Sequence, residues 1–195
     1  MPILILAAGQ SSRMRGADKL LQDVGGQPLL RKQVLMAQAL NGPVFVAVQP
    51  GATARGQAIA DLDATILTVP EASEGMSGTM RGAVPQLPDS PAFMMLLGDL
   101  VALEVNDLRA VLDAYYTNPD HLIWRGATND GKPGHPIIFD ASLRPAFTDL
   151  TGDSGGESLV NPLKPQTCLV PLPGYRARLD LDTPEEWAAW RAAIS

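Results

Sequence analysis

Apolar positions fall along this chain in two alternating rhythms. Short unbroken runs at Ile3 to Leu6, Val44 to Val48 and Phe93 to Leu97 carry no polar alternation, as expected of strands covered on both faces of a sheet. Between them, Pro28 to Leu40 places Leu29, Leu30, Val34, Leu35 and Leu40 at helical spacing and stops at Asn41-Gly42. A helix around Ala54 to Leu62, a strand near Thr65 to Val69 and a helix beginning within Ser77 to Leu87 continue the alternation. Asn106 to Tyr116 is again helical, with Asn106 as its N-cap. After Asn118 the rhythm changes. His121 to Arg125 and His135 to Phe139 read as strands joined through the turn-forming Asn129-Asp130-Gly131, a hairpin-like insertion. A strand near Thr167 to Leu172 follows. Pro184 to Ile194 closes the chain as a helix, with Thr183 as N-cap and Glu185 and Glu186 near the positive end of its dipole. The pattern predicts an α/β fold: a three-layer, Rossmann-like domain on a mostly parallel sheet, with a small late hairpin. No repeat or linker divides residues 1–195, so one domain is expected.

Composition sharpens this picture in a few places. Hydrophobic residues make up 46% of the chain and charged residues only 18%, which suggests a large interior. The net charge of -6 argues against a nucleic-acid partner, since such proteins neutralise phosphates with basic faces. It leaves room for a single nucleotide held by a few local cations. One cysteine, Cys168, makes no internal disulfide, which fits a reducing compartment. The apolar N-terminal run, about eight residues long with no charged region before it, is too short for a signal peptide or a membrane span. A cytoplasmic protein that engages no membrane is expected.

Candidate chemistry begins where the first strand ends. Leu6-Ala7-Ala8-Gly9-Gln10-Ser11-Ser12-Arg13-Met14-Arg15-Gly16-Ala17-Asp18-Lys19 leads from a buried strand through small residues into three cations. Small residues let backbone amides approach an anion, and cations after them neutralise polyphosphate. The segment lacks the Gly-Lys-Ser/Thr ending of a Walker loop and the Gly-x-Gly-x-x-Gly of dinucleotide binders. A basic surface loop is the competing reading on spacing alone.

The segment resembles the Leu-Ala-(Ala/Gly)-Gly-x-(Ser/x)-x-Arg-Met-Gly-x-x-Lys signature of sugar-phosphate and cofactor nucleotidyltransferases, among them the molybdenum cofactor cytidylyltransferases above all. Further segments match in order: Gly75-Met76-Ser77-Gly78-Thr79-Met80-Arg81, Leu97-Gly98-Asp99, Gly134-His135-Pro136, Gly152-Asp153-Ser154-Gly155, and Asp180-Leu181-Asp182-Thr183-Pro184-Glu185-Glu186. The resemblance implies CMP transfer from CTP to the phosphate of molybdopterin cofactor, with Mg2+. A molybdenum hydroxylase or its chaperone would be the partner that receives the product.

Arg13 and Lys19 would hold the triphosphate, and Leu6, Ala7, Ala8 and Gly9 would present backbone to base and ribose. Ser77 and Thr79 would contact the nucleoside or its phosphate, and Asp99 and Asp182 would bind the metal, with Asp180 a rival to Asp182. His135 and Asp153 would face the acceptor, and Arg81 is either a further anion contact or a surface residue. Asp99 alternatively serves as a cap after its strand, and His135 as a buried residue of the hairpin. Arg13, Lys19 and Asp99 form the expected catalytic set; losing Arg13 or Lys19 would cost on the order of a hundredfold in rate. The Ala8 methyl narrows space beside the base and favours a pyrimidine.

Three positions depart from the family pattern: Val101 replaces a proline, Arg15 a glycine, and Gly155-Gly156-Glu157 the usual Gly-Ala-Arg. The last removes a cation expected near the acceptor. Alternatives are a guanylyl- or other cytidylyltransferase with a different phosphorylated acceptor, a non-catalytic molybdenum cofactor carrier, and a nicotinamide-dependent oxidoreductase, which the missing fingerprint disfavours.

Overall fold

The computed structural model describes residues 1–152 and 155–194. Its organising strand is β1 (Ile3–Leu6), buried along its whole length. β2 (Val44–Val48) and β4 (Ala92–Leu97) flank it in parallel, so that Leu6 faces Ala47 on one side and Leu97 on the other. β3 (Thr65–Thr68) extends the sheet in parallel beyond β2. The late hairpin is present as β5 (Ile123–Ala127) and β6 (Pro133–Asp140), and it enters the sheet itself. β6 pairs antiparallel with β4, and β7 (Thr167–Pro171) pairs in parallel with β5. The order is β3-β2-β1-β4-β6-β5-β7.

The two-residue period of the strands sorts the apolar side chains into two cores. Ile3, Ile5, Val46, Met94, Leu96 and Trp124 face α1 (Leu29–Gln38), α4 (Val105–Thr117) and α7 (Pro184–Ile194), whose Val34, Leu108 and Trp187 complete one core. α2 (Thr53–Ala58) lies at the edge of that layer. Leu4, Leu6, Phe93, Met95, Ile137 and Phe139 face the opposite way. There they meet Met80 of α3 (Met76–Ala83), Phe147 of α5 (Arg144–Phe147) and Val160 of α6 (Glu157–Val160). Cover on both faces explains why the strand runs show no polar alternation. Among the described residues no helix is long and apolar enough to cross a membrane.

Two helix starts bear on the sequence reading. α4 is capped by Glu104, which shares a capping box with Asp107; Asn106, the expected N-cap, lies inside the helix instead. The acidic pair satisfies the first amides reciprocally and moves the start forward. α7 starts as expected: Thr183 Oγ1 accepts from the Glu186 amide, and Glu186 accepts from the Thr183 amide.

Gly134 marks a close approach. A Cβ there would stand 2.1 Å from the Ala177 carbonyl oxygen. The segment Ala177 to Asp182 therefore runs against the start of β6, and Asp180 then bridges to Leu100 just beyond β4. This brings residues from both ends of the chain to the carboxyl edge of β1 and β4, where open α/β sheets bind ligands.

Candidate active site

After β1 the chain turns sharply. Ser11 and Arg15 both take left-handed backbone, with φ of 52° and 53°, around one 3-10 turn at Ser12–Met14. Arg15, at the position usually glycine, thus keeps a glycine-like conformation despite its side chain. Asp18 caps the next turn by accepting from the Leu20 amide, and the Ser11 hydroxyl accepts from the Lys19 amide. These contacts aim Lys19 inward. Its Nζ lies 2.5 Å from Asp99 Oδ2 and 2.7 Å from Asp182 Oδ1.

Lys19, Asp99 and Asp182 have side-chain exposures of only 13%, 20% and 18%. Burial pushes the Lys19 ammonium toward losing its proton, but the two carboxylates outweigh it and hold the pKa above the ordinary lysine value. Arg13 reaches the other oxygen of Asp182 at 2.6 Å from a far more exposed position, 69%. Asp99 Oδ1 is buried with no hydrogen-bond partner among the described residues. Its unmet acceptor points to a cation as its complement.

Arg55, which the sequence did not single out, ties this loop together. It is 4% exposed and comes from the short α2. Its guanidinium donates to Asp18 at 2.7 and 3.0 Å, to the Ala7 carbonyl at 2.6 Å and to the Gly9 carbonyl at 2.7 Å. No motif surrounds it; the only sequence signal was an arginine in a helix too short and small to need one.

Two cavities open at this edge. The first, about 430 Å³, is lined by Leu6, Ala8, Gly9, Arg13, Lys19, Thr79, Asp99, Asp180 and Asp182, among others. The second, about 380 Å³, includes Arg125, His135, Gly155, Glu157, Arg178 and Asp180 in its wall. Leu6, Met76, Leu97 and Asp180 belong to both, so the cavities adjoin.

The structure therefore brings together most of the expected residues, with corrections. Ala7 is not in either wall, because its amide donates to Ala47 and its carbonyl accepts from Arg55. Ser77 is fully buried and its hydroxyl donates to the Gly155 carbonyl, which ties α3 to the second cavity; Ser77 itself lines neither cavity. Thr79 lines the first cavity, but its hydroxyl donates back to the Gly75 carbonyl. Arg81 is half-buried, pairs with Glu74 at 2.6 Å and donates to the Leu150 carbonyl at 2.8 Å, and it lines neither cavity. His135 stands in the second wall, its Nδ1 donating to the Met95 carbonyl at 3.5 Å; burial and the nearby Arg125 push its pKa down to about 3, so it is neutral near pH 7. Asp153 lies outside the described residues.

Asp180 sits between the two cavities and is not ion-paired among the described residues. Burial, Asp99 and Asp182 raise its pKa. A carboxyl raised in the folded state makes the fold bind protons more readily than the unfolded chain, so its charge costs stability at neutral pH and the cost fades on acidification. Asp180→Asn is expected to raise the thermal midpoint at pH 7, without divalent metal, by about 1 °C at most, because the side chain is exposed and solvent screens most of the effect. Scanning calorimetry at pH 7 and near pH 4 checks this, since the gain over wild type must shrink at the lower pH.

Comparisons with known proteins bear on the family and the fold. The family model described as "MobA-like NTP transferase domain" matches residues 3–167. "Bifunctional protein GlmU" of Thiobacillus denitrificans is 37% identical over 111 residues, covering 55% of this chain and 24% of that protein. The chain thus spans about a quarter of the length of the curated relatives it matches. Among solved structures, Rv0371c of Mycobacterium tuberculosis H37Rv superposes with a TM-score of 0.83 at 24% identity, over 96% of this chain and 95% of that one. Its complex with manganese gives a TM-score of 0.78 at 22% identity, over 96% of each chain. CMP:2-keto-3-deoxy-manno-octonic acid synthetase complexed with CTP gives 0.75 at 15%, over 98% and 97%. At such identities these structures establish the fold alone. The family match over most of its length is decisive: the chain belongs to the MobA-like NTP transferase domain family and is a nucleotidyltransferase.

Proposed function

We propose that the protein transfers CMP from CTP to the phosphate of molybdopterin cofactor, releasing pyrophosphate and forming the cytosine dinucleotide cofactor. The observation that carries this reading is the pair of adjoining cavities, with Lys19, Asp99 and Asp182 in the wall of the first and Asp180 and Leu97 shared by both. One cavity takes the nucleotide and the other the acceptor, and the α-phosphorus lies where they meet. An oxygen of the acceptor phosphate attacks the α-phosphorus in line; the new P–O bond forms as the bond to the β-phosphate oxygen breaks, and pyrophosphate departs with that electron pair. A phosphate oxygen is already ionised near neutral pH, so the site needs no general base. Alignment and charge neutralisation carry the catalysis.

Lys19 neutralises the transferring group from its buried position, Arg13 binds the outer phosphates, and Leu6, Ala8 and Gly9 shape the wall beside the nucleoside. Among the described residues no cluster of three or more His, Cys, Asp or Glu side chains could hold a metal by itself. Magnesium needs less, because it takes one or two carboxylates and draws its other ligands from phosphates and water. Asp99, whose buried Oδ1 has no partner among the described residues, and Asp182 suit that role. When bound there, the ion would offset negative charge on the triphosphate. The manganese complex of the mycobacterial protein of similar fold is consistent with a divalent ion.

The buried methyl of Ala8 in the first wall supports a pyrimidine, as does the CTP bound by a synthetase of the same fold. The Gly134-His135-Pro136 segment at the second cavity supports molybdopterin as acceptor, through the resemblance to cytidylyltransferases of that cofactor. A recipient molybdenum hydroxylase or its chaperone would take the product. The test is pyrophosphate release with magnesium and purified molybdopterin cofactor, comparing CTP, GTP, ATP and UTP. Turnover with CTP is expected to exceed that with GTP by about a hundredfold, the scale of discrimination a close-fitting pocket achieves. Turnover with GTP would move the protein to guanylyl transfer and remove the Ala8 argument. Nucleotide binding without turnover would indicate a different acceptor or a carrier.

A further inference from the structure

The second cavity holds two cations that the proposed transfer does not use. Arg125, on β5, donates from Nε to the Gly134 carbonyl at 3.0 Å. Arg178, on the segment that leads to Asp180, donates from Nη1 to the Pro133 carbonyl at 2.9 Å. Consecutive carbonyls at the start of β6 thus anchor both guanidiniums in one wall. Among the described residues neither makes an ion pair. By contrast Arg13, Arg15, Arg31, Arg55, Arg81 and Arg176 each have a carboxylate within 3.0 Å. Two like charges held near each other, one of them largely buried, call for an anion between or beside them. Burial and the neighbouring Arg178 lower the Arg125 pKa to about 10, which leaves it charged at neutral pH. Glu157 lines the same cavity and partly offsets the pair without contacting it.

The pair is separate from the cations of the first cavity. Lys19 and Arg13 line only the first cavity, Arg125 and Arg178 only the second, and Asp180 stands between them. A phosphate placed at the junction to attack the α-phosphorus leaves the Arg125–Arg178 end for another part of the acceptor. The pair also supplies positive charge that Glu157 fails to provide where the family pattern carries arginine.

We infer that Arg125 and Arg178 form an oxyanion-binding subsite at the far end of the acceptor cavity, so that the acceptor carries a second anionic group in addition to the phosphate that attacks. This deepens the transfer reading and rests on its assignment of the second cavity to the acceptor. It selects against acceptors whose only charge is the reacting phosphate.

The first test is independent of turnover. Sulfate is titrated into 15N-labelled protein without nucleotide, and the arginine side-chain Nε–H signals are followed. The signals of Arg125 and Arg178 are expected to shift saturably at millimolar sulfate, and the Arg125 response to weaken about fivefold or more in Arg178→Gln, as loss of one charge-assisted contact implies. Arg178 is exposed, so that variant keeps the fold even if Arg125→Gln does not. Shifts confined to Arg13, or small linear shifts on all exposed arginines, overturn the subsite.

The second test uses the transfer assay with whichever acceptor supports turnover. Arg178→Gln is expected to raise KM for the acceptor about tenfold while KM for the nucleotide stays within about twofold. A raised nucleotide KM with an unmoved acceptor KM overturns the assignment. If no acceptor supports turnover, the transfer reading has failed, and the sulfate titration still decides the subsite.

Discussion

Lys19→Met is expected to lower pyrophosphate release by at least about a hundredfold, a loss near 3 kcal/mol of transition-state stabilisation. Methionine keeps most of the length and packing of lysine and removes only the ammonium. That ammonium lies within 2.7 Å of two carboxylates in a site largely closed to water, where charge is poorly screened. Its loss removes neutralisation from the transferring phosphoryl group and leaves Asp99 and Asp182 facing each other. Arg13→Gln should cost less, about tenfold, because a side chain 69% exposed works through solvent. Steady-state rates of both variants at saturating nucleotide check the order. Near-normal turnover in Lys19→Met would remove Lys19 from the catalytic set. A thermal midpoint for Lys19→Met that recovers on adding magnesium would further tie Asp99 and Asp182 to metal, since a cation would then restore what the ammonium had supplied.

How much of this was written in the sequence depends on the range over which each signal acts. The strands β1, β2 and β4 were legible because burial on both faces leaves an unbroken apolar run, a purely local mark. The helix start at Thr183 was legible for the same reason, since its cap partners lie three residues apart. Lys19, Asp99 and Asp182 could be singled out from motifs, but their convergence is a tertiary fact: Lys19 and Asp182 are 163 positions apart. The late hairpin was visible, but its place beside β4 was not, because strand order is settled by packing and not by turn residues.

Ser77 and Thr79 show how hydrogen-bond partners stay hidden from the sequence. Their hydroxyls follow a segment that suggests ligand contact, and only the structure shows them donating to Gly155 and Gly75. Arg125 carried no signal in a strand that otherwise reads as apolar. Its meaning comes from Arg178, which the fold brings to the same cavity from a segment 53 residues later (178 − 125).

Arg55 is the residue where sequence said least and the structure says most. Arg55→Met is expected to destabilise the fold by about 3 kcal/mol, because removing one partner of a buried ion pair strands the other. For a chain of this length that lowers the thermal midpoint by roughly 6–12 °C. The stranded groups are specific: Asp18, and the carbonyls of Ala7 and Gly9, which all face the guanidinium. Asp18 also caps the turn that carries Lys19, so loss of Arg55 loosens the loop as well as the fold. KM for the nucleotide should rise about tenfold or more, although Arg55 lies in neither cavity wall.

The double variant Arg55→Met/Asp18→Asn separates the two consequences. Neutralising Asp18 removes the unpaired charge and should return about half of the lost stability, as coupled partners do in a double-mutant cycle. It cannot restore the clamp on Ala7 and Gly9, so nucleotide KM stays high. Thermal melts and nucleotide KM values for the two single variants and the double variant complete the cycle. If KM recovered together with stability, Arg55 would matter only through the charge it neutralises. A KM that stays high while stability returns makes Arg55 the residue that holds the loop after β1 in shape, acting on the nucleotide through backbone carbonyls it never shares with the ligand.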